Sequence, residues 1–276
     1  MTFGAVENTR YYGRPVNLFL IKYGDGADSY FGYTDAEKDI TVAGKLYRSV
    51  AIQRGAIVVK GNMDRTTLQV NMALNLEVAE LFRQYPPSTV VRLTIYQGHM
   101  SDPDGEFLVV WAGRVVSAKR EDVELVLSCE PTRTSLKRLG LRRHYQYSCP
   151  HVLFGPHCKA EKAAATVSRP IVSISGAILT FASGWSPVTP TQFLGGMIEW
   201  ENAMGDTEYR TIIRATATQV TISGILRDLA AGDTVRLVRG CSHDMAGCAS
   251  HSNILNFGGC PFIPKSNPVS TVNQFF

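Results

Sequence analysis

Six cysteines carry the chemical potential of this 276-residue chain: Cys129, Cys149, Cys158, Cys241, Cys248 and Cys260. Five of them fall in two tight groups, with 82 residues between Cys158 and Cys241. Two pairs stand out, Cys149 and Cys158 in CPHVLFGPHC, and Cys241 and Cys248 in CSHDMAGC. Four thiolates are the donor set of a tetrahedral zinc ion or of a four-iron cluster. Structural zinc usually draws two cysteines from one knuckle, about two to four residues apart. The intervals here, eight and six residues, are loose for one ion and suit an object whose corners are separated. Neither interval matches the ferredoxin runs. Spacing therefore leaves three readings open. These are a cluster, a zinc site in which His151, His157, His243 or His251 replaces a thiolate, and free thiols or a disulfide. Those four histidines lie within three residues of a candidate cysteine, where they could donate to cluster sulfurs or serve as polar loop residues. His99 and His144 receive no role. Cys129 follows an alternating strand and reads as a buried structural cysteine. Cys260, in the tight turn GGCP, is a spare that could replace a ligand.

Positioning these groups falls to a mainly β chain. VNLFLIKY (16–23), KLYRSVAI (45–52), TTLQVNMAL (66–74), VVRLTIYQG (90–98), EFLVVWAGRVVSA (106–118) and DVELVLSC (122–129) read as strands. In the third, Leu68, Val70, Met72 and Leu74 share one face. SDPDGE (101–106) is a β-turn sequence, because Pro presets φ and Gly accepts positive φ. Residues 75–85 have helical spacing through Leu76, Ala79, Leu81 and Phe82, ended by Pro86 and Pro87. Residues 1–130 thus read as an N-terminal β-barrel or sandwich-like domain. Residues 131–143 read as a short helix opened by Pro131 and closed near Gly140; five bases and no acid lie between Pro131 and Ser148, a solvated face in the ordinary case. Residues 163–238 lose cysteine and histidine and gain short strand-like pieces, a small inserted antiparallel β module. The cysteine-bearing domain is then 131–162 joined with 239–276. Its proline-rich end, 262–276, is either an extended tail laid on a surface or a frayed terminus.

Composition narrows the function classes. Lys plus Arg total 28 against 24 Asp plus Glu, a net charge of +4, with 45% hydrophobic and 19% charged residues. That balance excludes charge-driven disorder and gives no argument for direct nucleic-acid binding. Mean hydropathy is −0.03, and no apolar run approaches the roughly 18 residues of a membrane span, so stable membrane insertion is not expected. The opening MTFGAVENTRYYGR lacks the secretory pattern, which implies synthesis in a cytoplasm, where disulfides are not the default. No Gly-rich phosphate loop, HExxH, GxSxG or CxxC occurs, so an Fe–S oxidoreductase or zinc hydrolase is the weaker reading and a non-enzyme is expected. Trp111, Trp185 and Trp200 are too scattered for a sugar platform and read as core.

CPHVLFGPHC, GCSHDMAGC and SNILNFGGCPFIP resemble the signature of the phage BR0599/DUF2163-type tail proteins, relatives of the tail tip protein L of phage lambda and of the gene transfer agent hub protein. The resemblance runs over roughly residues 130–265 as CPxxLFGPxC, GCxxxxxxC and N-x-x-NFGG-x-P. It implies a structural component of the distal tail tip or baseplate hub of a long-tailed phage, present in the virion and assembled in the host cytoplasm. It implies a homotrimer seated between the distal tail protein ring and the central tail fibre or tip protein. It also implies a 4Fe-4S cluster, with zinc the alternative, held by Cys149, Cys158, Cys241 and Cys248. Asn256, Phe257, Gly258, Gly259 and Pro261 match a structural turn of the family. Cys260 departs from it, since relatives tend to carry an aromatic residue there.

Overall fold

Alternating and doubly apolar strands dictate a β architecture, and the computed structural model carries it. It describes residues 3–9, 11, 13–24, 26, 29–58, 67–83, 87–137, 140, 144–203, 205–224 and 226–264. Contacts divide the chain into two units, Met1–Arg138 with Ala203–Glu208, and Leu139–Asn202 with Tyr209–Phe276. Among the described residues no helix is long and apolar enough to cross a membrane.

The first unit holds a short helix α1 (Phe3–Glu7) and nine strands: β1 (Pro15–Lys22), β2 (Tyr30–Thr34), β3 (Ile40–Val42), β4 (Lys45–Ser49), β5 (Ile52–Arg54), β6 (Leu68–Ala73), β7 (Arg92–His99), β8 (Leu108–Glu121) and β9 (Glu124–Pro131). They form one sheet in the order β3-β4-β2-β1-β7-β8-β9-β6-β5. The pairing of β2 with β4 is parallel. The order leaves β3 and β5 at the edges, so no barrel closes and the sandwich alternative fits. β1 explains why: Phe19 and Ile21 point into a core with Val70, Met72, Leu93, Ile95 and Leu127, while Val16 and Leu18 pack with Ala36 and Tyr47 on the other face. A strand buried on both faces reads as a continuous apolar run, as VNLFLIKY does. On β6, Leu68, Val70 and Met72 are buried, as their alternation requires. In the turn after β7, the Asp102 carboxylate accepts from the N–H groups of Asp104 (3.1 Å) and Glu106 (3.3 Å).

Three local expectations change. The helix read over 75–85 is only α2 (Glu77–Leu81), with Val78 and Ala79 buried; Pro86 lies outside the described residues. Pro131 closes β9 rather than opening a helix, and Thr132–Lys137 is a 3-10 turn. Of that basic stretch, Arg138, Arg142 and Arg143 lie outside the described residues. β2 has no strand signal because Gly32 interrupts YFGYT. A Cβ there would sit 2.3 Å from the Leu46 carbonyl oxygen, so close backbone approach demands glycine.

The second unit contains β10 (Thr166–Pro170), β11 (Ser173–Ser175), β12 (Ile178–Thr180), β13 (Met197–Glu201), β14 (Thr207–Ala215) from Tyr209 onward, β15 (Gln219–Ile222) and β16 (Thr234–Val238). The sheet order is β10-β16-β13-β14-β15-β12-β11. Trp185 and Trp200 are core, with Phe193, Ile198 and Leu237. Their indole N–H groups donate to the carbonyls of Thr216 (3.0 Å) and Arg227 (2.9 Å), which satisfies the polar edge of each buried ring. The first and last strands of this sheet pair antiparallel, with Thr166 opposite Val238. Arg239 N–H continues the ladder to the Ala165 carbonyl at 3.0 Å. That register brings the chain entering the sheet beside the chain leaving it.

Candidate metal centre

Cys158 precedes β10 by a few residues and Cys241 follows β16, so the β10–β16 pairing delivers both cysteine segments to one place. Cys149, Cys158, Cys241 and Cys248 line a single small cavity, together with His151, His243, His251 and Asn253. All six cysteines are free thiols. Cys158 and Cys248 are buried, whereas Cys149 and Cys241 are half-buried.

Two clasps hold the segments together. Cys149 N–H donates to the His243 carbonyl at 2.7 Å, and His243 Nδ1 lies 3.0 Å from the Cys149 carbonyl. Asn253 Nδ2 donates to the Cys158 carbonyl at 2.6 Å. Cys248 sits on α3 (Met245–Ser250), a short helix capped by Asp244, whose carboxylate accepts from Gly247 N–H at 2.6 Å. Bonds from the Ser242 hydroxyl and from that N–H hold the Asp244 carboxyl below its ordinary range, as a cap should.

The sulfurs themselves receive donors. His243 N–H approaches Cys241 Sγ at 3.4 Å, Gly258 N–H approaches Cys149 Sγ at 3.4 Å, and Asn253 Nδ2 lies 3.6 Å from Cys158 Sγ. The Cys248 thiol donates to the Asn253 carbonyl at 3.0 Å. Burial first, and the neighbouring cysteines next, push the Cys248 thiol up. Burial also raises Cys241, with Cys158 and Cys149 adding to the shift and the His243 N–H opposing it. Four thiolates would repel one another in this space unless a cation neutralised them. Backbone strain gathers here too. Phe154, Lys159, His243 and Ser252 all have positive φ between 53° and 60°, a conformation kept only where the surroundings over-determine it.

The donor set fits a thiolate-bound inorganic centre. Among the described residues, no group of three or more His, Cys, Asp or Glu side chains is placed to hold a metal ion. One ring nitrogen of each cavity histidine meets a backbone carbonyl. His151 Nδ1 is 3.2 Å from the Asn256 carbonyl, and His251 Nε2 is 2.8 Å from the Gly240 carbonyl. His157 is exposed and does not line the cavity. Cys260 does not line it either; its N–H donates to the Gln146 carbonyl at 2.8 Å.

The NFGG turn has a physical reason. A Cβ on Gly258 would fall 2.4 Å from the His151 ring. Gly258→Ala should push that ring aside and withdraw the N–H from Cys149, at a cost of about 1–3 kcal/mol. A melting temperature lowered by several degrees is the expected outcome. Asn253, the first residue of the same motif, carries no ligand chemistry in the sequence. Its role as a bridge between Cys158 and Cys248 depends on contacts across 95 residues of chain.

Cys129 stands apart on β9. It is fully buried, and burial pushes its thiol up from 9.0 to about 12. Because the folded value exceeds the unfolded one, its stabilising contribution is complete below pH 9 and is lost as pH rises towards 12. Cys129→Ser should cost about 1–3 kcal/mol through a buried hydroxyl and leave metal content unchanged, measured by thermal melts and elemental analysis on the same sample.

The sequence profile of a family described as baseplate hub protein, N-terminal attachment domain, matches residues 15–161. A second, described as phage conserved hypothetical protein BR0599, matches residues 191–267. Each match therefore contains one cysteine pair. An uncharacterized protein of Xylella fastidiosa (strain 9a5c) is 28% identical over 160 residues, 54% of this chain and 32% of that protein. The chain thus spans about a third of the length of the curated relative it matches. A chain from the virion of a native gene transfer agent (GTA) particle shares the fold, with a TM-score of 0.79 at 19% identity over 98% of this chain and 94% of that one.

Proposed function

The chain belongs to the baseplate hub family defined by the N-terminal attachment domain, and from that premise we propose that it is a tail-tip hub protein whose C-terminal segments are locked by a 4Fe-4S cluster. As a member of that family it is a structural component of a phage-type tail, located in the virion and in contact with other tail proteins. The finer assignment is a homotrimer that joins the distal tail protein ring to the central fibre or tip protein. The nine-stranded sheet, which falls within the attachment-domain match, is the part that engages the ring.

One observation carries the cluster reading: four reduced cysteines from segments about 90 residues apart line one cavity, and three of their sulfurs face N–H donors. In such a centre Cys149, Cys158, Cys241 and Cys248 would be the ligands. The N–H groups of His243 and Gly258 and the Asn253 amide would stabilise the thiolate charge. The cluster would supply a rigid, charge-neutralising cross-link. Ligands that converge only in the folded chain convert binding free energy into folding free energy. A ring at a tail tip bears mechanical load, and a cross-link at the base of the β10–β16 sheet resists its detachment.

Complementation tests the hub assignment. A particle-producing strain lacking this protein should make tails only when the intact chain is supplied, and the chain should co-purify with the tails. Normal infective tails without it would overturn the assignment.

A further inference from the structure

We infer that Cys241 is the corner through which the centre exchanges with solvent, the point where metal enters and leaves and where small reagents arrive. This rests on the four-cysteine centre proposed above. Cys241 lines two cavities. One is the central cavity it shares with the other three cysteines. The other is an open groove of about 550 Å³ walled by Thr191, Gln192, Gly195, Ser242, Ala246 and Ser250. Cys149, Cys158 and Cys248 line the first and not the second.

The groove wall explains the access. The wall also includes Leu194, and the chain neighbours of Cys241, Gly240 and Ser242, are small. Gly240 and Gly247 on either side of the loop are fixed by close contacts, to the Leu194 carbonyl at 2.0 Å and to Ser242 Oγ at 2.3 Å for an added Cβ. These two residues of the loop are therefore held to glycine by their surroundings. The other thiols are shielded differently. Cys158 and Cys248 are buried at 9% and 7% exposure, and Cys149, half-buried like Cys241, accepts from the Gly258 N–H.

The test uses the full chain purified anaerobically with its metal. Bathophenanthroline disulfonate is added together with iodoacetamide, and alkylation at each cysteine is mapped by mass spectrometry over time. Cys241 should be alkylated before Cys149, Cys158 and Cys248, with Cys129 unlabelled throughout. Ala246→Leu and Ser250→Leu, which fill the groove without touching a sulfur ligand, should slow both metal release and Cys241 labelling several-fold and leave Cys260 labelling unchanged. Metal present but all four ligands labelled together, another ligand labelled first, or groove-filled variants as fast as the parent would each overturn the port alone. A protein purified without metal would overturn the centre as well.

Discussion

Exchanging Cys149 or Cys241 for serine is expected to unfold the C-terminal cysteine segments. Structural metal sites contribute on the order of 10 kcal/mol to folding in the best-studied small domains, against roughly 5–15 kcal/mol for the net stability of a whole domain. Each variant also leaves three crowded thiols around a cavity with no cation to neutralise them. Limited proteolysis should cut between residues 144 and 162 and after residue 240, where regular structure is sparse. The nine-stranded sheet has its own core of Phe19, Ile21, Leu93 and Leu127 and should resist. In complementation the variants should give no stable tails. Parental thermal stability and normal tails in both variants would contradict a structural centre.

Gly240→Ala should be nearly as damaging, through a different mechanism. A Cβ at this position would lie 2.0 Å from the Leu194 carbonyl oxygen, 2.6 Å from the Gly196 nitrogen and 2.9 Å from the Gly195 carbonyl carbon. All three are backbone atoms, so no side chain can rotate away. Gly240 also donates to the Gln192 carbonyl at 3.0 Å and meets His251 through its own carbonyl. Displacing it breaks the link between β16 and the Cys241 loop. The expected loss exceeds about 3 kcal/mol, at the upper end for overpacking, and is read as aggregation or a collapsed melting temperature. Gly4→Ala is the matched control: nothing lies within 4 Å of its added Cβ. Helix propensity there favours alanine by about 0.5–1 kcal/mol.

Much of this architecture was legible in the residues. The alternation of Leu68, Val70 and Met72 marked a half-buried strand, and the doubly apolar VNLFLIKY marked one covered on both faces. Sandwich or barrel stayed undecided because closure depends on which distant strands lie at the edges, and β3 and β5 give no local sign of it. β2 was hidden by Gly32, whose need arises from a non-local contact with Leu46. At the candidate centre, the four cysteines could be picked out by type, but their convergence depends on Thr166 pairing with Val238, a register no local window contains. Asn253 was invisible for the same reason. Its partners include Cys158, far away in sequence, and Cys248, beside it. The histidines were legible as neighbours of the cysteines, yet only tertiary geometry separates a sulfur ligand from a group that orients the loop carrying it.

The most direct test is iron and acid-labile sulfide analysis of the chain purified without oxygen, with its absorption spectrum. A brown protein with broad absorbance, about four irons and about four sulfides per chain is expected, with loss of both in Cys149→Ser. A colourless protein with no iron or sulfide, or one holding stoichiometric zinc, would contradict the cluster reading.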